Sequence, residues 1–348
     1  YEISGDASLE ASNVDVGGQG GGLFRQLGGN VLARFGVLVS SSSAGATAEY
    51  QMHQGHLDAK QLQVAHYPGE PAHFVQHGGT VDVRGYSSHI DMGLYLGYSS
   101  GTVGTYSLDA GTLAVERDAL IGRYGEGLFT QTGGSSSYGR LFVGAYAQTY
   151  EVDYATGHYE HSGGTCHVLG GMVVGLGGAV GTYNLTGGQN VVDYGLVLGN
   201  SSHATGTYTV SGGSLTVGTI LWVAGRGTGQ LEVIGAGGSV QAGEYLQTAA
   251  GTLVSAPDPN GLSTIEIAST ASLGGTWLVR DDRARIGRFD VLTAAGGLTG
   301  DFDDVLLPGP NWTWGIDGGR LWVEHVPEPA TLALLALGGL TLMHRRKR

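Results

Sequence analysis

The sequence contains one cysteine, Cys166, and only eight prolines in 348 residues. A lone thiol excludes an internal disulfide framework, so stability has to come from packing. Charged residues are also few, at 14%, and acidic in balance, with a net charge of −13. Such a surface repels a phosphate backbone, and no nucleic-acid partner is expected. There is no strict Gly-X-Y repeat despite 65 glycines, which excludes collagen, and 41% hydrophobic residues are too many for simple disorder. The chain opens on Tyr1 without a charged-then-apolar leader, as expected of a trimmed or partial chain whose export signal would lie elsewhere.

What is abundant is repetition. The phrase Gly-x-aromatic-x-x-x-Gly-Gly occurs at residues 181–188 (GTYNLTGG) and 206–213 (GTYTVSGG), and in close copies at 22–29, 127–134 and 157–164. Its aromatic anchors run Tyr1, Phe24, Tyr50, Phe74, Tyr106, Phe129, Tyr159, Tyr183 and Tyr208, with Leu231 following in the same position. The interval is about two dozen residues, lengthened twice by insertions near 84–92 and 145–156. Between glycines the pattern has period two: Tyr208 with Val210, Leu215 with Val217, and Leu221 with Val223 share one side of three short strands.

Three short strands per unit predict an all-β chain: a parallel β-helix of about ten coils, right-handed by the usual crossover rule. The aromatic anchors would then stack inside it. Gly-Gly marks one corner, and single glycines such as Gly97, Gly122, Gly144, Gly175 and Gly199 mark another. The divisions expected are residues 1–250 for the solenoid, 251–325 for a C-terminal β cap, and 326–348 for a tail with a short hydrophobic helix.

That tail reads Val326-Pro327-Glu328-Pro329-Ala330, then an apolar run, then His344 and the basic cluster Arg345, Arg346, Lys347 and Arg348. Residues 330–343 would make about 21 Å of helix at 1.5 Å per residue, short of the roughly 30 Å hydrocarbon core. A transient anchor in the inner membrane is expected, with the basic end held on the cytoplasmic side. The three-part order closely resembles the PEP-CTERM sorting signal. The resemblance implies recognition at Pro327-Glu328-Pro329 by an exosortase, a membrane transpeptidase that removes the hydrophobic tail, with the solenoid delivered beyond the inner membrane. The repeat region resembles autotransporter-type and other PEP-CTERM-associated β-strand repeats, and the phrasing of residues 288–323 resembles the end module of bacterial surface β-helices. These likenesses imply a secreted surface, matrix or adhesive component, with exopolysaccharide or other surface proteins as partners.

Parallel β-helices also carry polysaccharide lyases and hydrolases, the alternative reading. Such sites need converging acids and bases. Asp109, Glu116, Asp118 and Asp193 instead fall at different points of the repeat, and no catalytic residue is assigned. His158, His161, Cys166 and His167 lack a zinc spacing, and the repeat register makes Cys166 a small core residue. Asp301, Asp303 and Asp304 lack the glycine-rich nonapeptide of calcium β-rolls. Neither cofactor nor metal is expected. The richest departures from the repeat are the two insertions, whose Tyr86, His89, Asp91, Tyr146, Tyr150, Glu151, Asp153 and Tyr154 are the candidate binding-loop residues.

Overall fold

The computed structural model describes residues 1–43, 45–69, 71–85, 93–146, 155–280 and 286–326. These residues form strands and turns, with no helix among them. The strands wind into a parallel β-solenoid of about 11 turns. One face is a 13-stranded ladder in which Thr156–His161, Val180–Leu185, Thr205–Val210 and Thr228–Ile234 are successive members. A second face stacks Thr165–Val168 on Gln189–Val192, and a third stacks Met172–Leu176 on Leu196–Leu198. Strands such as Thr112–Ile121 and Gly213–Val223 run through the bend between these two faces, with a register shift at 115/118 and at 217/220. The three-strand rhythm of the sequence is therefore the three-faced coil.

Period-two alternation places one set of side chains inside. Every expected anchor occupies the same rung position: Tyr106 lies opposite Phe129, Phe129 opposite Tyr159, Tyr183 opposite Tyr208, and Tyr208 opposite Leu231. The rings stack in an unbroken column from Phe24 to Tyr208 inside the shaft, with the exposed Tyr1 stacked on its open end. Centroids lie 4.7 Å apart at Tyr50–Phe74 and 4.6 Å apart at Tyr183–Tyr208, where the planes differ by only 6°. Each stacked pair adds about 0.5–1.5 kcal/mol beyond area burial.

The interior is not purely apolar, and its polar groups follow a second rhythm. Gln26, Gln76 and Gln131, all fully buried, each stand two residues after a phenylalanine anchor. The tyrosine of the next coil reaches back to that amide: Tyr50 Oη donates to Gln26 Oε1 at 2.7 Å, Tyr106 to Gln76 at 2.6 Å, and Tyr159 to Gln131 at 2.7 Å. The amide nitrogens donate to corner carbonyls, for instance Gln76 Nε2 to Gly79 O at 3.2 Å and Thr112 O at 3.0 Å. Higher in the column, Tyr183 pairs with His161 Nδ1 at 2.8 Å, and Tyr208 accepts from Asn190 Nδ2 at 2.8 Å. A buried hydroxyl without a partner costs on the order of 1–3 kcal/mol, so each inward phenol is matched by a neighbour.

Glycine at the corners is a steric requirement. Gly122 has φ of 75°, and a Cβ there would lie 1.9 Å from Thr156 O of the next coil. In two coils the equivalent corner is occupied by alanine: Ala65 and Ala224 hold φ of 61° and 64°.

Parallel stacking does not stop at Ala250, where the change to a cap was expected. Gly251–Ala256 pairs with Thr276–Val279, which pairs with Asp304–Leu306, while Ile265–Ile267 pairs with Leu292–Ala294. Leu253, Trp277 and Val305 take over the anchor position, so the geometry persists after the recognisable phrase has faded. The boundary drawn at 250 thus falls inside the ladder. Among the described residues, antiparallel strand pairing joins Gly287–Ala294, Trp312–Asp317 and Arg320–His325, with one isolated antiparallel bridge at Asp258–Gly261. The hydrophobic helix expected in the tail lies outside the described residues. Among those described, no helix is long and apolar enough to cross a membrane.

Candidate functional site

The residues weighed for metal chemistry are distributed by strand alternation to opposite sides of the wall. Cys166 is buried inside, between Ser136 and Asn190 of the adjacent coils, and burial pushes its thiol pKa up. His161 also faces inward, and burial lowers its pKa. His158 and His167 alternate outward, where His167 Nε2 meets Asp193 Oδ1 at 2.9 Å. Among the described residues, no three His, Cys, Asp or Glu side chains converge on one point. Asp301 accepts from the Phe302 amide at 2.9 Å and Asp303 from the Gly275 amide at 3.0 Å, which commits both to holding backbone.

Of the scattered acids, Asp109, Asp118 and Asp193 have separate partners as well. Asp109 faces His77 Nδ1 at 2.8 Å and accepts from Thr132 Oγ1 at 3.1 Å. Asp118 holds Arg140 through two contacts of 2.8 and 2.5 Å. These pairs link one coil to the next; the exposed His77–Asp109 pair contributes at most about 1 kcal/mol, whereas the Asp118 carboxylate is buried against the half-exposed Arg140.

A different constellation stands out on the corner between the third and first faces. The residues that follow the corner position in four successive coils are His66 with Tyr67, then Tyr98, then Arg123 with Tyr124, then Tyr146. His66 stacks on Tyr98 with centroids 4.5 Å apart and meets Tyr67 edge-on at 4.6 Å. The Arg123 guanidinium lies 4.5 Å from the Tyr98 ring, 4.9 Å from Tyr124 and 5.1 Å from Tyr95. Tyr124 and Tyr146 continue the band at 6.5 Å. Burial and, secondarily, the Arg123 charge lower the His66 pKa, which favours a neutral imidazole within this band.

Tyr95 shows how the band is anchored. Its neighbours Leu94 and Leu96 belong to the shaft interior, whereas Tyr95 points outward and packs with Leu120, Phe142 and Ala145 in a separate apolar cluster. The rim of that cluster includes Tyr98 and Leu176. Tyr67 and Tyr146, at the two ends of the band, are 43% and 39% exposed. Tyr146 is also one of the few non-glycine residues with positive φ, at 61°.

Both insertions border this third face. The first leaves the second-face strand Thr80–Val83 and returns at Leu94–Leu96; the second leaves Ser135–Ala145 and returns at Thr156–His161. Of the candidate loop residues, Tyr146 belongs to the aromatic band. Tyr86, His89, Asp91, Tyr150, Glu151, Asp153 and Tyr154 lie outside the described residues. Sequence reasoning missed His66, Tyr67, Tyr95, Tyr98, Arg123 and Tyr124. The available signal was an aromatic one or two residues after the corner residue in consecutive coils.

The last described residue of the tail, Val326, leaves the terminal hairpin with its amide bonded to Asn311 O at 2.8 Å. Pro327, Glu328, Pro329, Ala330 and the basic residues Arg345, Arg346, Lys347 and Arg348 lie outside the described residues. No curated protein matches the chain. The PEP-CTERM protein-sorting motif matches residues 325–348, so this β-solenoid carries a signal for export and for processing by an exosortase, with a cell-surface or extracellular destination.

Proposed function

We propose that the chain is a non-enzymatic structural or adhesive component of the cell surface or extracellular matrix, anchored transiently in the inner membrane by its tail and freed from it by exosortase cleavage. The observation that carries this reading is the sorting motif joined to a rigid parallel shaft. Two features support it. The shaft commits buried polar groups to tying coil to coil, and Asp109, Asp118 and Asp193 are each engaged in a separate intercoil pair. In the same reading the antiparallel strands 312–317 and 320–325 act as the terminal cap, ending the parallel stacking.

The test uses the full chain behind an export signal in a Gram-negative host that has an exosortase. Three forms are compared in cytoplasmic, inner-membrane, surface and medium fractions: intact, truncated after Val326, and with Pro327, Glu328 and Pro329 all replaced by alanine. The intact chain is expected at the surface or in the medium without its basic end, and the triple-alanine form in the inner membrane with the tail uncut. Identical processing of these two forms would overturn the reading.

A further inference from the structure

We propose that the aromatic band across the corners of four coils is a binding platform for an uncharged polysaccharide, one chain of which lies along the shaft axis. This rests on the reading of the chain as a surface or matrix protein and names its partner. Three observations point to it.

The first is the placement of the tyrosines. Tyr50, Tyr106, Tyr138, Tyr159, Tyr183, Tyr208 and Tyr245 are fully buried in the shaft, whereas Tyr67, Tyr95, Tyr98, Tyr124 and Tyr146 gather on one side of four consecutive coils. Packing within the shaft accounts for the first group; in the second, Tyr95 is buried beneath the band, Tyr98 and Tyr124 are half-buried, and Tyr67 and Tyr146 expose their rings. The second observation is contiguity. From Tyr67 through His66, Tyr98, Arg123 and Tyr124 to Tyr146, successive members are in ring or cation contact, so the band is one continuous surface. Three coil steps at about 4.8 Å make it roughly 14 Å long, enough for a short run of sugar residues. The third is Tyr146, held in a left-handed conformation that tyrosine rarely adopts while its ring stays 39% exposed. Strained backbone of this kind is concentrated at functional sites.

The ligand class follows from the chemistry of the band. Phenol rings offer flat apolar faces with a polar tip. A pyranose presents the complement, a face of C–H groups rimmed by hydroxyls. A polyanion fits poorly: the chain carries −13, and Arg123, the cation in the band, is shared among three tyrosine rings.

The experiment is affinity electrophoresis of the full chain in gels containing hydroxyethylcellulose, laminarin, xylan or mannan, with alginate as the anionic comparator. Retardation by at least one neutral glycan is expected. Tyr67→Ala and Tyr146→Gly should each weaken it about tenfold, the equivalent of 1.4 kcal/mol. Tyr194→Ala, which removes a 63% exposed ring from another corner, should leave it unchanged. Tyr146→Gly also relieves the left-handed backbone, so lost binding in that variant is not a folding failure, and circular dichroism checks this directly. No retardation in any neutral gel, retardation by alginate alone, or equal losses in the Tyr194 variant would overturn the proposal. A chain that reaches the surface yet binds none of these glycans fails this inference alone, whereas one whose processing ignores the sorting motif fails the broader reading.

Discussion

Replacing Gln76 by leucine and Tyr106 by phenylalanine, singly and together, tests whether the shaft is held by coupled polar pairs inside an apolar column. Gln76 is fully buried, accepts from Tyr106 at 2.6 Å, and donates to two corner carbonyls. Gly79 O keeps another donor, the Thr112 amide at 2.9 Å. Thr112 O likewise keeps its place in the parallel ladder with Thr80–Val83, so Gln76→Leu strands mainly the phenol, and at about 1–3 kcal/mol for a buried unsatisfied group the expected loss is about 2 kcal/mol. Tyr106→Phe keeps the ring stack, as the neighbouring Phe74 and Phe129 show, and strands only Gln76 Oε1, for about 1–2 kcal/mol. In the double variant no phenol remains to be stranded, so the losses should fall short of additivity by about 1–2 kcal/mol. Because a solenoid can open coil by coil, the assay should be local: native-state hydrogen exchange of amides in Ala72–Gln76 and Val103–Leu108. Additivity within about 0.5 kcal/mol would refute the coupling.

Gly122→Ala should cost about 3 kcal/mol or more, because its Cβ meets a carbonyl, whereas Gly18→Ala, with φ of 61° but open space around it, should cost only about 1–2 kcal/mol; thermal melts of the two variants decide this. Ala65→Gly and Ala224→Gly should each change stability by no more than about 1 kcal/mol in the stabilising direction, since relief of the left-handed strain is partly offset by glycine's chain entropy. Alkaline pH should unfold the shaft cooperatively. Burial raises the phenol pKa values of Tyr50, Tyr106, Tyr138, Tyr159, Tyr183, Tyr208 and Tyr245. Their stabilisation is complete below the unfolded pKa of about 10 and is lost above it, at up to about 1.4 kcal/mol per pH unit for each tyrosine. Tyrosinate absorbance and loss of β-sheet circular dichroism should then appear together; tyrosinate forming well before the sheet signal falls would contradict the buried column.

Much of the shaft was legible because its two determinants, period-two burial and corner glycine, are both local. Tyr183, Tyr208 and Leu231 could be placed on one rung line from spacing alone, and Cys166 could be placed in the wall by the same register. The end of the shaft was misplaced because Leu253, Trp277 and Val305 fill the anchor without repeating the phrase. The buried amides were missed although Phe-x-Gln is written three times, at 24–26, 74–76 and 129–131. Their partners lie one coil away, so neither residue announces the pair by itself. The aromatic band was harder still, since its rings meet only after coils of different length have been stacked.

The phenylalanine–glutamine and tyrosine rungs alternate from Phe24 to Tyr159, which makes the lower shaft a column of two-storey blocks. Skipping a single storey would set either glutamine beneath phenylalanine or tyrosine upon tyrosine, and in each case one polar group would be sealed in and unmatched. Skipping two restores every pairing. The column therefore carries a parity check on its own assembly, and lengthening or shortening it during evolution is least disruptive in steps of two coils.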